Sequence, residues 1–315
     1  MTERAVRIAG AIEQPRSLSP TSASAWQQCE LKYALSYGYR WREPATVPAL
    51  IGNTSHRSIE LLYGLEPDRR TRETAGELLR SAIAEETTKP EVASLRASTE
   101  DLDRTVLAAC EDALDGLFEL EDPRTITVDP AGLEVWVSAY LYGAPVRGRI
   151  DRLYDASGAH VVADYKSGRV PRPAYTERAF FGLWTYAAAL AASDPDRQLP
   201  DRIELLYLVG RERLARPVLR SVALEHAKQL ARVWRQILDA FGARVVQART
   251  SKLCGWCAFA AACPARVTDA LPPIGTDDYA AVLISAGLGR RTGSMDAGSP
   301  ERRDPAAEAV EAVDR

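Results

Sequence analysis

The chain has 315 residues, 46% of them hydrophobic and 26% charged, a balance that excludes wholesale disorder and suits one large or two modest domains. It has no apolar run near the roughly 18 residues a membrane span requires, and the opening Met1-Thr-Glu3-Arg4 lacks the apolar core of a signal peptide, so a cytoplasmic protein that engages no membrane is expected. Forty Lys and Arg against 43 Asp and Glu give a net charge of -3, which excludes a global basic field and requires any nucleic-acid surface to be local.

Residues 1–16 have no firm period and read as an N-terminal extension. Ser19-Pro20-Thr21 is a helix start, and a helix to about Tyr37 places Cys29 on a face shared with Trp26 and Tyr33. After Pro44 and Pro48, residues 52–63 read as a second helix with His56, Ile59, Glu60 and Tyr63 on one side. Residues 73–89 and 99–121 carry Ala and Leu at helical spacing around Lys89-Pro90, which predicts a helical insertion over about 65–122. The period then changes to two. Strands are predicted over 125–128, 133–142, 146–154 and 160–165, with turns at Gly143-Ala-Pro145 and Ala156-Ser-Gly158. A helix over 175–192, strands over 203–209 and 218–222, and a helix over 224–246 complete an α/β order. A short C-terminal segment, 271–289, carries one more helix over 277–288, and the Gly-, Ser-, Pro- and charge-rich 290–315 reads as a disordered tail.

The chemistry is concentrated in Gly148-Arg149-Ile150-Asp151-Arg152 and Asp164-Tyr165-Lys166-Ser-Gly168. An antiparallel hairpin turning near Gly158 brings Asp151 beside Asp164, and strand alternation puts Asp164 and Lys166 on one face. Two carboxylates side by side repel unless a cation sits between them, and oxygen ligands suit Mg²⁺ or Mn²⁺. Such an ion polarises a phosphate and activates water, while Lys166 orients the attacking water and stabilises developing negative charge.

Cys254-Gly-Trp-Cys257 and, six residues on, Cys263-Pro264 form a thiol triplet, and Cys29 can supply a fourth ligand from 225 positions upstream. Five cysteines without an export signal argue against a disulfide framework. Four thiolates suit either Zn²⁺ or an iron-sulfur cluster, and spacing does not separate them. Such a clasp over residues 254–264 closes a very long loop, which points to a structural role; Cys110 has no partner by spacing.

Four blocks together resemble the RecB family of the PD-(D/E)XK nuclease superfamily, including CRISPR-associated RecB-like exonucleases and the AddB nuclease module. They are Leu18-Ser-Pro-Thr-Ser-Ala-Ser-Ala-Trp26-Gln-Gln-Cys29, Gly52-x-x-x-His56, the Asp151 and Asp164-x-Lys166 hairpin, and the cysteine triplet. The resemblance implies a restriction-endonuclease-like α/β core, a mixed sheet flanked by helices, over residues 17–270. By the same resemblance His56, Asp151, Asp164 and the Tyr165 backbone carbonyl hold the metal, and Asp151, Asp164 and Lys166 are catalytic. It also implies that Cys29, Cys254, Cys257 and Cys263 carry a [4Fe-4S] cluster rather than zinc. One departure is Gly182, which stands where related nucleases carry the glutamine of Gln-x-x-x-Tyr, although Tyr186 is present.

From Arg147 to Arg178 there are seven basic and four acidic residues, so Arg149, Arg152, Arg169 and Tyr186 are candidate substrate contacts beside the metal. Arg249, Lys252 and Arg266, with Trp256 and Phe259 interleaved, form a second small basic patch. The expected function is a metal-dependent DNA exonuclease working on single-stranded or free ends in repair or recombination, the end preference coming from the resemblance. The alternative is a catalytically weak iron-sulfur partner that binds DNA ends, and a zinc scaffold unrelated to nucleic acid is a third reading. No Gly-x-x-x-x-Gly-Lys-Ser/Thr loop is present, so unwinding falls to a separate helicase or repair protein.

Overall fold

The computed structural model describes residues 3–193, 199–268 and 270–290. In chain order the strands are β1 (Glu3–Arg7), β2 (Trp41–Arg42), β3 (Leu133–Leu141), β4 (Ala144–Ala156), β5 (Ala159–Lys166), β6 (Arg202–Tyr207), β7 (Glu212–Pro217), β8 (Val245–Arg249) and β9 (Gly289–Arg290). The helices are α1 (Pro20–Gln28), α2 (Glu30–Tyr33), α3 (Val47–Tyr63), α4 (Arg72–Thr87), α5 (Ala93–Ser98), α6 (Leu102–Leu120), α7 (Thr176–Ala179), α8 (Phe181–Ser193), α9 (Arg220–Ala243) and α10 (Asp277–Ser285). They fall into two compact units. The larger comprises residues 16–28 and 44–243, and the smaller comprises 1–15, 29–43 and 244–315.

The larger unit is built on a five-stranded mixed sheet in the order β3-β4-β5-β6-β7. Two tight turns set its first three strands. Tyr142-Gly143 and Ser157-Gly158 all take positive φ (50° and 81°, then 53° and 81°), the backbone that a two-residue hairpin needs to match strand twist. β6 then runs parallel to β5, which requires a crossover, supplied by α7 and α8. Tyr63, Leu79, Val106, Leu114 and Leu117 of α3, α4 and α6 pack with Val161, Ala163, Tyr165 and Leu206 of the sheet in one core. The helical insertion thus covers one sheet face. α8 is apolar almost all round and buries Leu183, Trp184, Ala187 and Leu190, as expected of a helix enclosed on several sides.

In the smaller unit β1 pairs antiparallel with β8, and β2 with β9. The stretch expected as a plain N-terminal extension therefore contributes a strand, whose length and pairing no local period announced. Three other expectations are corrected. Residues 125–128 form no strand, since Pro123–Thr125 is a 3-10 turn. The strand expected over 218–222 lies earlier, at β7, and residue 220 already begins α9. The first helix stops at Gln28, with α2 and a π-helical turn over Ala34–Gly38 following. The tail expected to be disordered lies, beyond Arg290, outside the described residues. Among the described residues no helix is long and apolar enough to cross a membrane.

Candidate metal centre

Thr46 sets the helix that carries His56. Its hydroxyl accepts the Ala49 N–H at 3.3 Å and Pro48 occupies the first turn, so α3 starts at a fixed point and His56 falls mid-helix. The strand partners come from the β4–β5 ladder, which runs from Ala156↔Ala159 to Arg152↔Ala163 and ends there. Asp151 and Asp164 lie one step past its end. In place of a ladder bond, the Tyr165 N–H donates to Asp151 Oδ2 at 2.8 Å. The Tyr165 carbonyl faces His56 Nε2 at 2.9 Å, and His56 Nδ1 stands 3.4 Å from Asp151 Oδ2. Lys166 Nζ contacts Asp164 Oδ2 as an ion pair, yet that buried oxygen receives no well-directed hydrogen bond.

The sequence reading missed Glu134. It follows the first residue of β3 with left-handed backbone (φ 49°), a kink that falls between the pairs Leu133↔Arg152 and Val135↔Ile150, opposite Asp151. Its one available signal was a carboxylate in an otherwise apolar, alternating strand. Donor atoms of His56, Glu134 and Asp151 all lie within 4.8 Å of one another, and Glu134 Oε2 also forms an ion pair with Arg149 Nε at 2.5 Å.

The electrostatics are those of a crowded anionic pocket. Burial alone would lower the His56 pKa, but the adjacent Asp151 carboxylate overrides it and holds the imidazole proton up to about 9. Asp151 is lowered in turn: burial opposes ionisation, while His56 and the Tyr165 N–H stabilise the carboxylate. Asp164 is raised by burial and by Asp151, against the pull of Lys166. Glu134 is pushed up to about 7 by burial and by Asp151, against Arg149.

These residues fit a divalent cation. The 2.9 Å between His56 Nε2 and the Tyr165 carbonyl is a hydrogen bond in the metal-free centre, and a cation held by both would take the place of its proton. Glu134, which retains its proton to about 7, and Asp164, whose ionisation burial and Asp151 oppose, are the groups a cation would relieve. Oxygen donors with one imidazole suit Mn²⁺ as well as Mg²⁺.

The expected substrate contacts divide. Arg149 is exposed beside Glu134, and Arg169 is exposed in the loop after β5. Tyr186 packs its ring on Gly148, where an added Cβ would come within 2.5 Å of it; its hydroxyl pKa is raised by burial and by Asp164 and Asp151. Arg152 is a correction, being fully buried. It donates to both Glu121 oxygens (2.6 and 3.1 Å) and lies over the rings of Tyr154, Tyr63 and Tyr165. Strand alternation turns it to the opposite face from Asp151, into the core. Gly182 faces Pro20, with 3.6 Å between Pro20 Cβ and an added Cβ.

Cys29, Cys254, Cys257 and Cys263 all belong to the smaller unit, half-buried and free of disulfides. Backbone N–H groups of Ser251, Phe259 and Ala265 point at the sulfurs of Cys254, Cys257 and Cys263 respectively. Burial raises the Cys263 thiol, and Cys29 and Cys254 raise it further, so these groups feel one another. Among the described residues, no three of these sulfurs gather within 4.8 Å, so the expected four-cysteine clasp is not formed by the side chains as they stand. Phe259 is buried and Arg249 is bound by Glu3 and Glu30, which leaves the 86% exposed Trp256 as the open aromatic of the second basic patch.

The profile of the PD-(D/E)XK nuclease superfamily matches residues 17–264. The chain belongs to this superfamily. PD-(D/E)XK proteins are typically nucleases that use Mg²⁺ or Mn²⁺ and bind DNA, and the central five-stranded sheet flanked by helices is consistent with their core. Among solved structures, this PD-(D/E)XK chain is similar to the crystal structure of SSO0001 at 13% identity and a TM-score of 0.32, over 70% of this chain and 96% of that one, a likeness too loose to bear on the fold. No curated protein matches the sequence.

Proposed function

We propose that this protein is a RecB-type, metal-dependent DNA exonuclease that hydrolyses phosphodiesters at single-stranded or free ends in repair or recombination. The observation that carries the nuclease reading is the convergence of His56, Asp151 and the Tyr165 carbonyl where the β4–β5 ladder parts, with Asp164 and Lys166 beside them. Specificity for ends, and the AddB-like kinship, rest on the sequence blocks.

In this reading His56, Asp151, Asp164 and the Tyr165 carbonyl hold Mg²⁺ or Mn²⁺, with Glu134 as a further oxygen donor. Bound there, the cation supplies Lewis-acid polarisation of the scissile phosphate. Lys166 keeps its proton because Asp164 and Asp151 stabilise the charge against burial, so its ammonium is placed to orient water and offset negative charge on the phosphoryl oxygens. The Tyr165 backbone N–H donates to Asp151 Oδ2 and so holds that side chain in place. In this reading Cys29, Cys254, Cys257 and Cys263 carry a [4Fe-4S] cluster, which rests on the sequence blocks; the backbone N–H groups that face three of the sulfurs suit thiolate ligands. That cluster ties together residues 29–43 and 244–290 of the smaller unit. Unwinding would come from a separate helicase.

The test is hydrolysis of end-labelled linear single-stranded DNA with Mn²⁺, compared with Lys166→Ala and Asp164→Ala and with a circular single strand. Cleavage of the linear strand alone, lost in both variants, supports the reading. Equal cleavage by all three proteins, or cleavage of the circle, overturns it. Anaerobically purified protein is expected to be brown and to lose its visible absorbance in Cys257→Ser; a colourless protein containing zinc overturns the cluster.

A further inference from the structure

The β3–β4 hairpin carries a surface that the metal chemistry does not use. Trp136 and Tyr140 on β3, each 53% exposed, and Tyr142 in the turn, 58% exposed, present large aromatic rings to solvent. Isolated exposed aromatics are common, but these share one face of the hairpin with Arg147 and Arg149 of the neighbouring strand. Trp136 is opposite Arg149, Ser138 opposite Arg147, and Tyr140 opposite Pro145, and directly paired residues share a face. The Arg147 guanidinium lies over the Trp136 ring, 5.2 Å from its centre. The other face of the same strands buries Val137, Ala139, Val146 and Ile150 and takes up Tyr186 at Gly148, so the aromatic face is not a spilled core.

Charge narrows the occupant. Residues 135–150 contain two arginines and no carboxylate. The stripe also ends at the metal centre, because Arg149 reaches Glu134 at 2.5 Å. From Glu134 to Tyr140 the strand advances about 20 Å at ~3.4 Å per residue, the length of about six nucleotides at stacked rise. Rings that accept any base, beside cations that accept any phosphate, are the means by which proteins hold unpaired nucleic acid without reading sequence.

We infer that the exposed face of β3–β4 is a track for single-stranded DNA, with Trp136 and Tyr140 stacking on bases and Arg147 and Arg149 flanking the backbone as it runs to the metal centre. This track rests on the nuclease reading for its direction toward Glu134, not for its chemistry. Paired bases have no free faces for Trp136 and Tyr140, so duplex DNA gains only the arginine contacts.

The test is fluorescence anisotropy with a labelled single-stranded oligonucleotide and its duplex, on the full chain carrying Asp164→Asn to prevent cleavage. Trp136→Ala and Tyr140→Ala are each expected to weaken single-strand binding by about tenfold or more and duplex binding much less. Trp136→Phe should keep most of the affinity, and all variants should melt like the parent because the rings are exposed. In the Asp164-intact protein, the same ring losses should raise KM with little change in kcat. Unchanged binding in the Trp136→Ala, Tyr140→Ala double variant, with cleavage intact in the Asp164-intact protein, overturns the track and leaves the nuclease. Ring-dependent binding by an Asp164-intact protein that cleaves no DNA with either Mg²⁺ or Mn²⁺ keeps the track and removes the nuclease. Loss of a dimer in sedimentation on removing the rings would assign the face to a second copy of the chain and overturn the inference.

Discussion

His56 Nδ1 stands 3.4 Å from Asp151 Oδ2, and this pairing sets the pH behaviour of the metal-free centre. The imidazole keeps its proton to about 9, against ~6.5 in an unfolded chain. The native state therefore binds more protons between these values. The stabilisation from the pair is complete below pH ~6.5 and is lost as pH rises through about 9.

Metal binding reverses that trend, because a ligating imidazole must give up a proton. Mn²⁺ affinity is expected to rise by up to about tenfold per pH unit for each proton displaced as pH approaches about 9, and to level off above it. Calorimetry at pH 7 in buffers of different ionisation enthalpy should report proton release on Mn²⁺ binding, and His56→Gln should reduce that release. Release unchanged in His56→Gln would remove the imidazole from the ligand set.

Glu134 offers a trade of stability against metal affinity. Its pKa is pushed up to about 7, so the native state holds a proton that the unfolded chain releases above ~4.5, and the carboxylate destabilises the metal-free protein increasingly as pH rises from ~4.5 to about 7. Glu134→Gln is expected to stabilise the metal-free protein at pH 8 by about 1–3 kcal/mol, read by urea unfolding, and to weaken Mn²⁺ binding. A destabilised variant would show that the Arg149 contact outweighs the charge crowding.

Arg152 is expected to act on folding rather than on substrate. Its guanidinium shares Glu121 with Arg213, and Arg213 also reaches Glu204. Arg152→Ala leaves buried acceptors short of a partner and should cost about 3–5 kcal/mol in denaturant unfolding. Arg152→Met combined with Glu121→Gln should cost less than the sum of the single changes. DNA affinity lost without any loss of stability would restore Arg152 to the substrate surface.

Gly182 is the second residue of α8 and has no steric demand for glycine, since an added Cβ meets Pro20 at an ordinary 3.6 Å. Gly182→Gln in this first turn should therefore raise stability by less than the ~1 kcal/mol that glycine costs in a helix interior. If the missing glutamine limits catalysis, the same change raises kcat for the linear single strand; an unchanged kcat assigns its role to other side chains.

Local pattern carried much of the fold. The alternation over 133–156 and the Ser157-Gly158 turn sufficed to pair β4 with β5, because side-chain period and turn geometry are properties of a few consecutive residues. Edge strand β7 is hidden in the sequence because Glu212, Arg213 and Arg216 interrupt its apolar pattern, and the two arginine charges are taken up by ion pairs to Glu121, Glu204 and Glu177 that only the fold supplies. Val218, Leu219 and Val222 looked like a strand because β-branched propensity yields to tertiary packing.

At the centre, the chemical kind of the residues is legible in the chain: the Asp164-x-Lys166 spacing, His56 on its helix and the thiol triplet read as ligand types. Which groups meet depends on folding. It placed Glu134 opposite Asp151 through a backbone kink, turned Arg152 inward, and let the Tyr165 amide and carbonyl link strand to helix. Residue type is fixed by the chain, whereas the separation between charges, and hence their proton affinity, depends on segments far apart in sequence being brought within a few ångströms.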